Sequence, residues 1–200
     1  MPDFAARISF GDGKTLEIQG PGEITQETTD AIVNAANSSL LGGGGVDGSI
    51  HRAGGPAILA ECRQIVSKIG RLAAGKAVIT TGGRLAAKHV IHTVGPIYHG
   101  GGHGEAETLA SCHREAIRLA DENGLTSLSF PAISTGAYGY PVSEAAPIAI
   151  SSAAQALASA RHVGKCRFVL FDVATVQAYQ DAAGKLSKTT SQFKIEKAHL

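Results

Sequence analysis

The sequence predicts an α/β domain of three layers, a mixed but mostly parallel central sheet with helices on both faces. Three observations carry this. Short apolar runs alternate with longer stretches of helical period through most of the chain. No internal repeat or biased linker divides the 200 residues, a length that suits one domain. Twenty-five glycines, 12.5% of the chain against a typical ~7%, cluster where strands should give way to helices.

The elements follow in order. Arg7–Phe10 and Thr15–Gln19 alternate in polarity around Gly11-Asp12-Gly13, which reads as a hairpin. After a Gly20-Pro21-Gly22 loop, Ala31–Asn34 reads as a buried strand, and an irregular stretch then ends in four glycines. From Ser49 to Ile69 the period is helical, with Ile58, Cys62, Ile65 and Ile69 on one stripe. Gly54-Gly55-Pro56 divides it into two pieces with Pro56 in a first turn, and Gly70 ends it. Lys76–Thr80 and His89–Val94 are strands. Residues 105–123 form a helix whose stripe is Leu109, Cys112, Ala116 and Leu119. A strand at Ser127–Ala132, a helix at Pro141–Ala160, a strand at Lys165–Asp172 and a helix near 174–185 complete the pattern. Residues 187–200 show no period and are expected to be a flexible tail or an added edge element after a domain spanning 1–186.

Composition excludes several classes. Eighteen basic and seventeen acidic residues leave a net charge of +1, which excludes a strongly basic nucleic-acid binder. A hydrophobic content of 44% excludes global disorder. No apolar run approaches the ~18 residues of a membrane span. The first residues lack a basic region followed by an apolar one, and three widely spaced cysteines do not make a disulfide framework. A cytoplasmic protein without membrane or nucleic-acid partners is expected.

In open α/β sheets, ligands sit beyond the carboxyl ends of strands. Two loops at such positions are glycine-rich, residues 40–51 and 134–141. Glycine lets backbone amides approach a ligand, and a following helix N-terminus offers roughly half a positive charge, so the pair suits a phosphate or diphosphate. Two formal motif matches do not hold. Residues 43–48 satisfy G-x-G-x-x-G, but they stand well past the preceding strand and no acidic ribose clamp follows, so a Rossmann-type NAD oxidoreductase is disfavoured. Residues 70–76 satisfy G-x-x-x-x-G-K, but Ala77 lacks the hydroxyl that holds magnesium and the helix-to-strand context is reversed. His99 and His103 have no third ligand nearby, and the cysteines read as small core residues, so no metal site is expected.

The polar residues near the first loop carry more chemistry. Asn34, Asn37, Asp47 and His51 fall within 18 residues. A carboxylate in a glycine loop can orient or deprotonate water beside a phosphate, and amides suit sugar hydroxyls. The structural alternatives are a strand-end Asn34 holding loops, an Asp47 capping the helix near Ser49, and a packed His51.

The ordered series Ala31–Asn37 (AIVNAAN), Leu41–His51 (LGGGGVDGSIH), His92–Pro96 (HTVGP), Phe130–Gly136 (FPAISTG) and Tyr138–Pro141 (YGYP) resembles the macrodomain family. Its GGGGVDG…IH form is similar to the MacroD-type ADP-ribosyl hydrolases. The resemblance implies a cleft for ADP-ribose over the sheet. Gly44, Gly45 and Val46, with Ser134, Thr135, Gly136 and Ala137, would grip the diphosphate. Asn37 and Asp47 would be catalytic, Asn37 holding the distal ribose and Asp47 beside the scissile bond. Asn34 would also contact ligand, Tyr138 would cover the distal ribose, and Phe171 would stack on adenine. It further implies hydrolysis of O-acetyl-ADP-ribose and of ADP-ribose on acidic side chains, by water between Asp47 and a ligand phosphate and without cofactor. The alternative is a module that reads ADP-ribose without turnover. The family's usual G-D-I-T is Gly22-Glu23-Ile24-Thr25 here, so Glu23 and Ile24 stand where adenine would be read, with one methylene more than aspartate. The usual tyrosine of the third helix is His113.

Overall fold

The protein is described by a computed structural model covering residues 4–189 and 193–197. Among these residues eight strands form one sheet: β1 (Ala6–Phe10), β2 (Thr15–Gln19), β3 (Ala31–Ala36), β4 (Ala77–Thr81), β5 (His89–Val94), β6 (Ser127–Phe130), β7 (Lys165–Val169) and β8 (Phe193–Lys197). Their order across the sheet is β4-β5-β3-β6-β7-β2-β1-β8. Pairing is parallel from β5 through β3, β6 and β7 to β2. The flanking pairs, β4 on β5, β1 on β2 and β8 on β1, are antiparallel. Among the described residues five helices cover the sheet: α1 (Gly45–Gly54), α2 (Pro56–Ile69), α3 (Glu105–Glu122), α4 (Val142–Ser159) and α5 (Val173–Thr189). None of the described helices is long and apolar enough to cross a membrane.

The period of two along the strands builds two cores. Ala31 and Val33 of β3 join Leu109, Ala116, Ile150 and Tyr179 beneath α3, α4 and α5. Ile32 and Ala36, from the alternate positions, join Ile50, Ile58 and Cys62 beneath α1 and α2. The result is the three-layer arrangement that the alternating sequence predicts.

Several boundaries differ from expectation, each for a local reason. α1 starts at Gly45 rather than near Ser49, because Gly44, extended at ψ −177°, serves as its N-cap without a side chain. Asp47 therefore lies within the first turn and is not the cap. β6 stops at Phe130, where Pro131 supplies no amide to the ladder. β7 stops at Val169, so Phe171 stands in the loop beyond the strand instead of at its end. The boundary expected at 186 falls inside α5, and residues 193–197 add an edge strand to β1. The remainder of the expected tail, 190–192 and 198–200, lies outside the described residues.

His113 occupies the core between Phe130 and Phe168, with ring centroids 5.4 and 5.8 Å away. Its Nδ1–H donates to the Leu109 carbonyl at 2.9 Å, and its buried Nε2 has no hydrogen-bond partner. Burial pushes the imidazole down to about 4. An unfolded histidine titrates near ~6.5. As pH falls from there, the unfolded chain takes up a proton that the folded one refuses, and stability drops. His113→Phe removes this proton and the orphaned nitrogen together. Urea unfolding from pH 7 to 4.5 should show the variant gaining on the wild type by about 1.4 kcal/mol per pH unit below pH ~6. Parallel stability curves would show that the folded protein protonates His113 freely.

Candidate functional site

A cleft of about 850 Å³ lies over the carboxyl ends of β3, β6 and β7. That is where a parallel sheet turns its loops into helix N-termini. One wall is Gly43–Asp47, which runs into α1. No side chain caps this helix, so its first-turn amides are open toward a ligand. Gly48 makes the turn possible, since a Cβ there would stand 2.4 Å from the Gly43 carbonyl oxygen. The facing wall is Ser134–Tyr138. This loop closes on itself through Gly139 N to Gly136 O (2.9 Å) and Tyr140 N to Ser134 O (3.0 Å). The amides of Gly136, Ala137 and Tyr138 donate to no backbone carbonyl among the described residues. Ser134 is held at φ +67°, and its buried Oγ has no partner. Such strain in a non-glycine residue concentrates at ligand-binding loops.

Asp47 projects from the first turn of α1 and is 4% exposed. Its Oδ1 accepts a hydrogen bond from Asn34 Nδ2 at 2.7 Å. The second proton of the same amide goes to His92 Nδ1 at 3.0 Å. His92 must therefore be the Nε2–H tautomer, and that proton goes to Thr80 Oγ1 at 2.9 Å. Thr80 in turn donates to the Thr81 carbonyl at 3.0 Å. Burial, aided by the neighbouring His51, pushes His92 down to about 3, so it stays neutral at ordinary pH. Asn37, just beyond β3, shapes the loop. It donates from Nδ2 to Gly42 O (2.9 Å) and accepts at Oδ1 from Ser39 N (3.0 Å).

The Macro domain family model matches residues 33–149, which span these loops and the strands beneath them. The chain belongs to the macrodomain family. A macro domain-containing protein of Chlorobaculum tepidum is 54% identical over 80% of this chain and 91% of its own. A Klebsiella pneumoniae protein named O-acetyl-ADP-ribose deacetylase is 52% identical over 80% of this chain and 91% of its own. Among solved structures, a mutant of the Oceanobacillus iheyensis macrodomain with ADPR superposes at a TM-score of 0.87. It is 44% identical, and the match covers 92% of this chain and 100% of that one.

In this macrodomain the cleft gathers most residues singled out from the sequence. Asn37, Gly44, Gly45, Val46 and Asp47 line it from one side. Ser134, Thr135, Gly136, Ala137 and Tyr138 line it from the other, and Glu23, Ile24 and Phe171 close its end at β7. Phe171 is 79% exposed, an apolar ring without a protein partner over it. Glu23 begins a short 3-10 turn, Ile24–Gln26, and its carboxylate makes no hydrogen bond or ion pair among the described residues.

Asn34 is a correction. It is fully buried beneath Asp47 and does not line the cleft, so it reaches a ligand only through that carboxylate. The capping alternative for Asp47 also falls, since Gly44 is the cap. Sequence reasoning missed Arg52, Gly95, Asp172 and Thr175, all of which line the cleft. Gly95 and Asp172 follow strands β5 and β7, so the strand-end rule was the available signal. Asp172 caps α5 through Thr175 N (2.8 Å), which fixes the loop that carries Phe171.

His51, Cys62 and His92 bring ligand atoms within 4.8 Å of one another. Their protonation does not suit a metal. His92 Nε2 carries the proton given to Thr80, and burial, then the charges of Asp47 and Glu61, push the Cys62 thiol up to about 11.

Asn34→Leu keeps the shape of the bridging side chain but removes both donors. His92 Nδ1 is then left buried without a partner and Asp47 Oδ1 keeps only His51 Nε2, 3.4 Å away, at about 1–3 kcal/mol each. Denaturant unfolding should show a loss of about 3 kcal/mol. A loss under ~0.5 kcal/mol would mean that the bridge contributes nothing.

Proposed function

We propose that this macrodomain binds ADP-ribose in the cleft and hydrolyses its carboxylic esters, both O-acetyl-ADP-ribose and ADP-ribose on aspartate or glutamate side chains. The relatives named O-acetyl-ADP-ribose deacetylase support the reaction class. The neighbour solved with ADPR supports the ligand. The observation that carries the reading is Asp47. One oxygen is fixed from beneath by Asn34, and Oδ2 accepts no hydrogen bond among the described residues. The carboxylate lies within the helix turn whose open amides suit a diphosphate.

The chemistry follows from that placement. A diphosphate spans the two loops, Phe171 stacks on adenine, and Asn37 and Tyr138 flank the distal ribose. A water between Asp47 Oδ2 and a phosphate oxygen attacks the anomeric carbon of an ester carried there, or the acyl carbon of an acetyl ester on a neighbouring ribose hydroxyl. Its proton passes to Asp47 or to the phosphate, and the C–O bond to the acyl group breaks. The products are ADP-ribose and a carboxylate. Preorganised donors and a positioned base carry the rate, and the chain supplies both from residues already fixed by the fold.

The competing reading is a reader module, and one variant separates the two. Asp47→Ala should bind ADP-ribose at least as tightly as the wild type, and more tightly where the lost charge had repelled the diphosphate, measured by calorimetry in EDTA, while ester hydrolysis falls by about 10²–10⁴. A variant that melts earlier yet hydrolyses at the wild-type rate would make Asp47 structural. Wild-type protein that binds but never hydrolyses the ester would make the domain a reader.

Phe171→Ala tests the adenine end. Stacking of a base on an aromatic ring is worth about 1–3 kcal/mol. ADP-ribose affinity should weaken by roughly 5- to 150-fold, with no change in melting temperature because the ring is exposed. Unchanged affinity would place the base elsewhere.

A further inference from the structure

A second cavity of about 520 Å³ adjoins the first, and the two share Gly95 and Tyr138 as walls. Sheet order gives it a direction. The Phe171 end of the main cleft follows β7, the glycine loops follow β3 and β6, and the second cavity lies past β5. A linear ligand with its base at Phe171 therefore points its far end at this second space. The walls there are apolar, including Leu72, Val94 and Ile97, and Ile97 is 53% exposed.

One cation stands among them. Arg71 donates from Nε (3.2 Å) and Nη2 (2.8 Å) to Ser38 Oγ, in the residue after Asn37. The turn that carries Arg71 is tied to the same loop by Leu72 N to Ser38 O at 2.9 Å. Arg71 has no carboxylate partner among the described residues. A guanidinium has five N–H donors, and the two contacts with Ser38 use two of them. Three remain, both on Nη1 and one on Nη2, and these form the fork that matches a carboxylate.

We infer that the second cavity is the acyl subsite of the enzyme and that Arg71 pairs with the carboxyl group of the acyl part. The inference rests on the reading of the main cleft as the ADP-ribose site. Hydrolysis of any such ester releases a carboxylate, and Arg71 is the group placed to receive it. The volume far exceeds that of an acetyl group, so the subsite fits the side chain and adjoining backbone of an ADP-ribosylated glutamate in a polypeptide. In the reaction water adds its oxygen to the ribose carbon and gives its proton to Asp47 or the phosphate, the ribose–oxygen bond breaks, and both electrons of that bond leave on the carboxylate beside Arg71.

The test uses the full chain, ADP-ribose, O-acetyl-ADP-ribose, a synthetic glutamyl-peptide ester of ADP-ribose and its non-hydrolysable amide counterpart. The amide analogue should bind the wild type more tightly than ADP-ribose does. Arg71→Met should remove that gain and lower kcat/KM for the peptide ester roughly tenfold, with ADP-ribose affinity unchanged. Arg71→Lys should restore part of it. Ile97→Trp, which fills the cavity without touching the main cleft, should depress the peptide ester far more than the acetyl ester. If ADP-ribose binds but the amide analogue gains nothing and neither variant alters ester turnover, the subsite is overturned. Failure of ADP-ribose itself to bind would overturn the reading of the main cleft.

Discussion

The site depends on the two protons of one amide, the Nδ2 of Asn34. They go to Asp47 Oδ1 and His92 Nδ1, and no other arrangement of these three groups satisfies them. Turning the amide would set its oxygen against the carboxylate. Protonating His92 would set two donors against each other, which its burial already opposes. The bridge exists because Asn34 and His92 face each other in the parallel register of β3 and β5. Both side chains point to the α1 face, where their neighbours in sequence, Ile32 and Val90, belong to the apolar core. A buried polar chain from Thr80 through His92 and Asn34 to Asp47 thus runs through an otherwise apolar layer, and each link fixes the proton of the next. A low local dielectric makes such a chain rigid when complete and costly when broken.

Given a fixed Asp47, the loops around it are constrained by space. A Cβ at position 43 would stand only 3.1 Å from Asp47 Oδ2 and 3.4 Å from Asn37 Nδ2, so Gly43 leaves room for both. Gly95 accommodates Ser134, whose Oγ would stand 2.1 Å from a Cβ at position 95. The glycines are therefore places where the two cleft walls and the strand ends pack closest. Their value to ligand binding is what this packing leaves behind, backbone amides without side chains in front of them.

The fold was legible in the sequence because period and punctuation agreed. The stripes at Ile58–Ile69 and Leu109–Leu119 could only be helices, and Pro56 and Gly70 marked their limits. The parts that were not legible involve contacts across strands. Asn34 read as a ligand contact because its chain neighbours Asn37 and Asp47 are near the cleft, while the residue that claims it, His92, is 58 positions away. Asp47 read equally well as a cap, since a glycine cap leaves no side-chain signature. Residues 193–197 carry no apolar period because an edge strand pairs through backbone, whatever its side chains. Arg71 carried no signal, as its meaning comes from Ser38 and from a cavity that only the folded sheet creates.

One electrostatic conflict explains why the support beneath Asp47 is so complete. In the proposed complex the carboxylate and a bound diphosphate would share the positive end of the same helix, α1. Two like charges ~5 Å apart in a medium of effective dielectric ~20 repel by about 3 kcal/mol before screening. A loosely held aspartate would relieve this by swinging away from the ligand, and with it would go any ability to orient water. Asn34 prevents the swing by holding Oδ1, and the buried chain through His92 and Thr80 prevents Asn34 from following. In the proposed mechanism the repulsion that remains would weaken binding of the substrate before reaction. It would ease in the transition state, where Asp47 would take on part of the proton of water and lose part of its charge. Interactions that are more favourable in the transition state than in the ground state are the ones that raise turnover. On that mechanism the buried bridge would turn a binding cost into a catalytic gain, which a reader of ADP-ribose would have no use for.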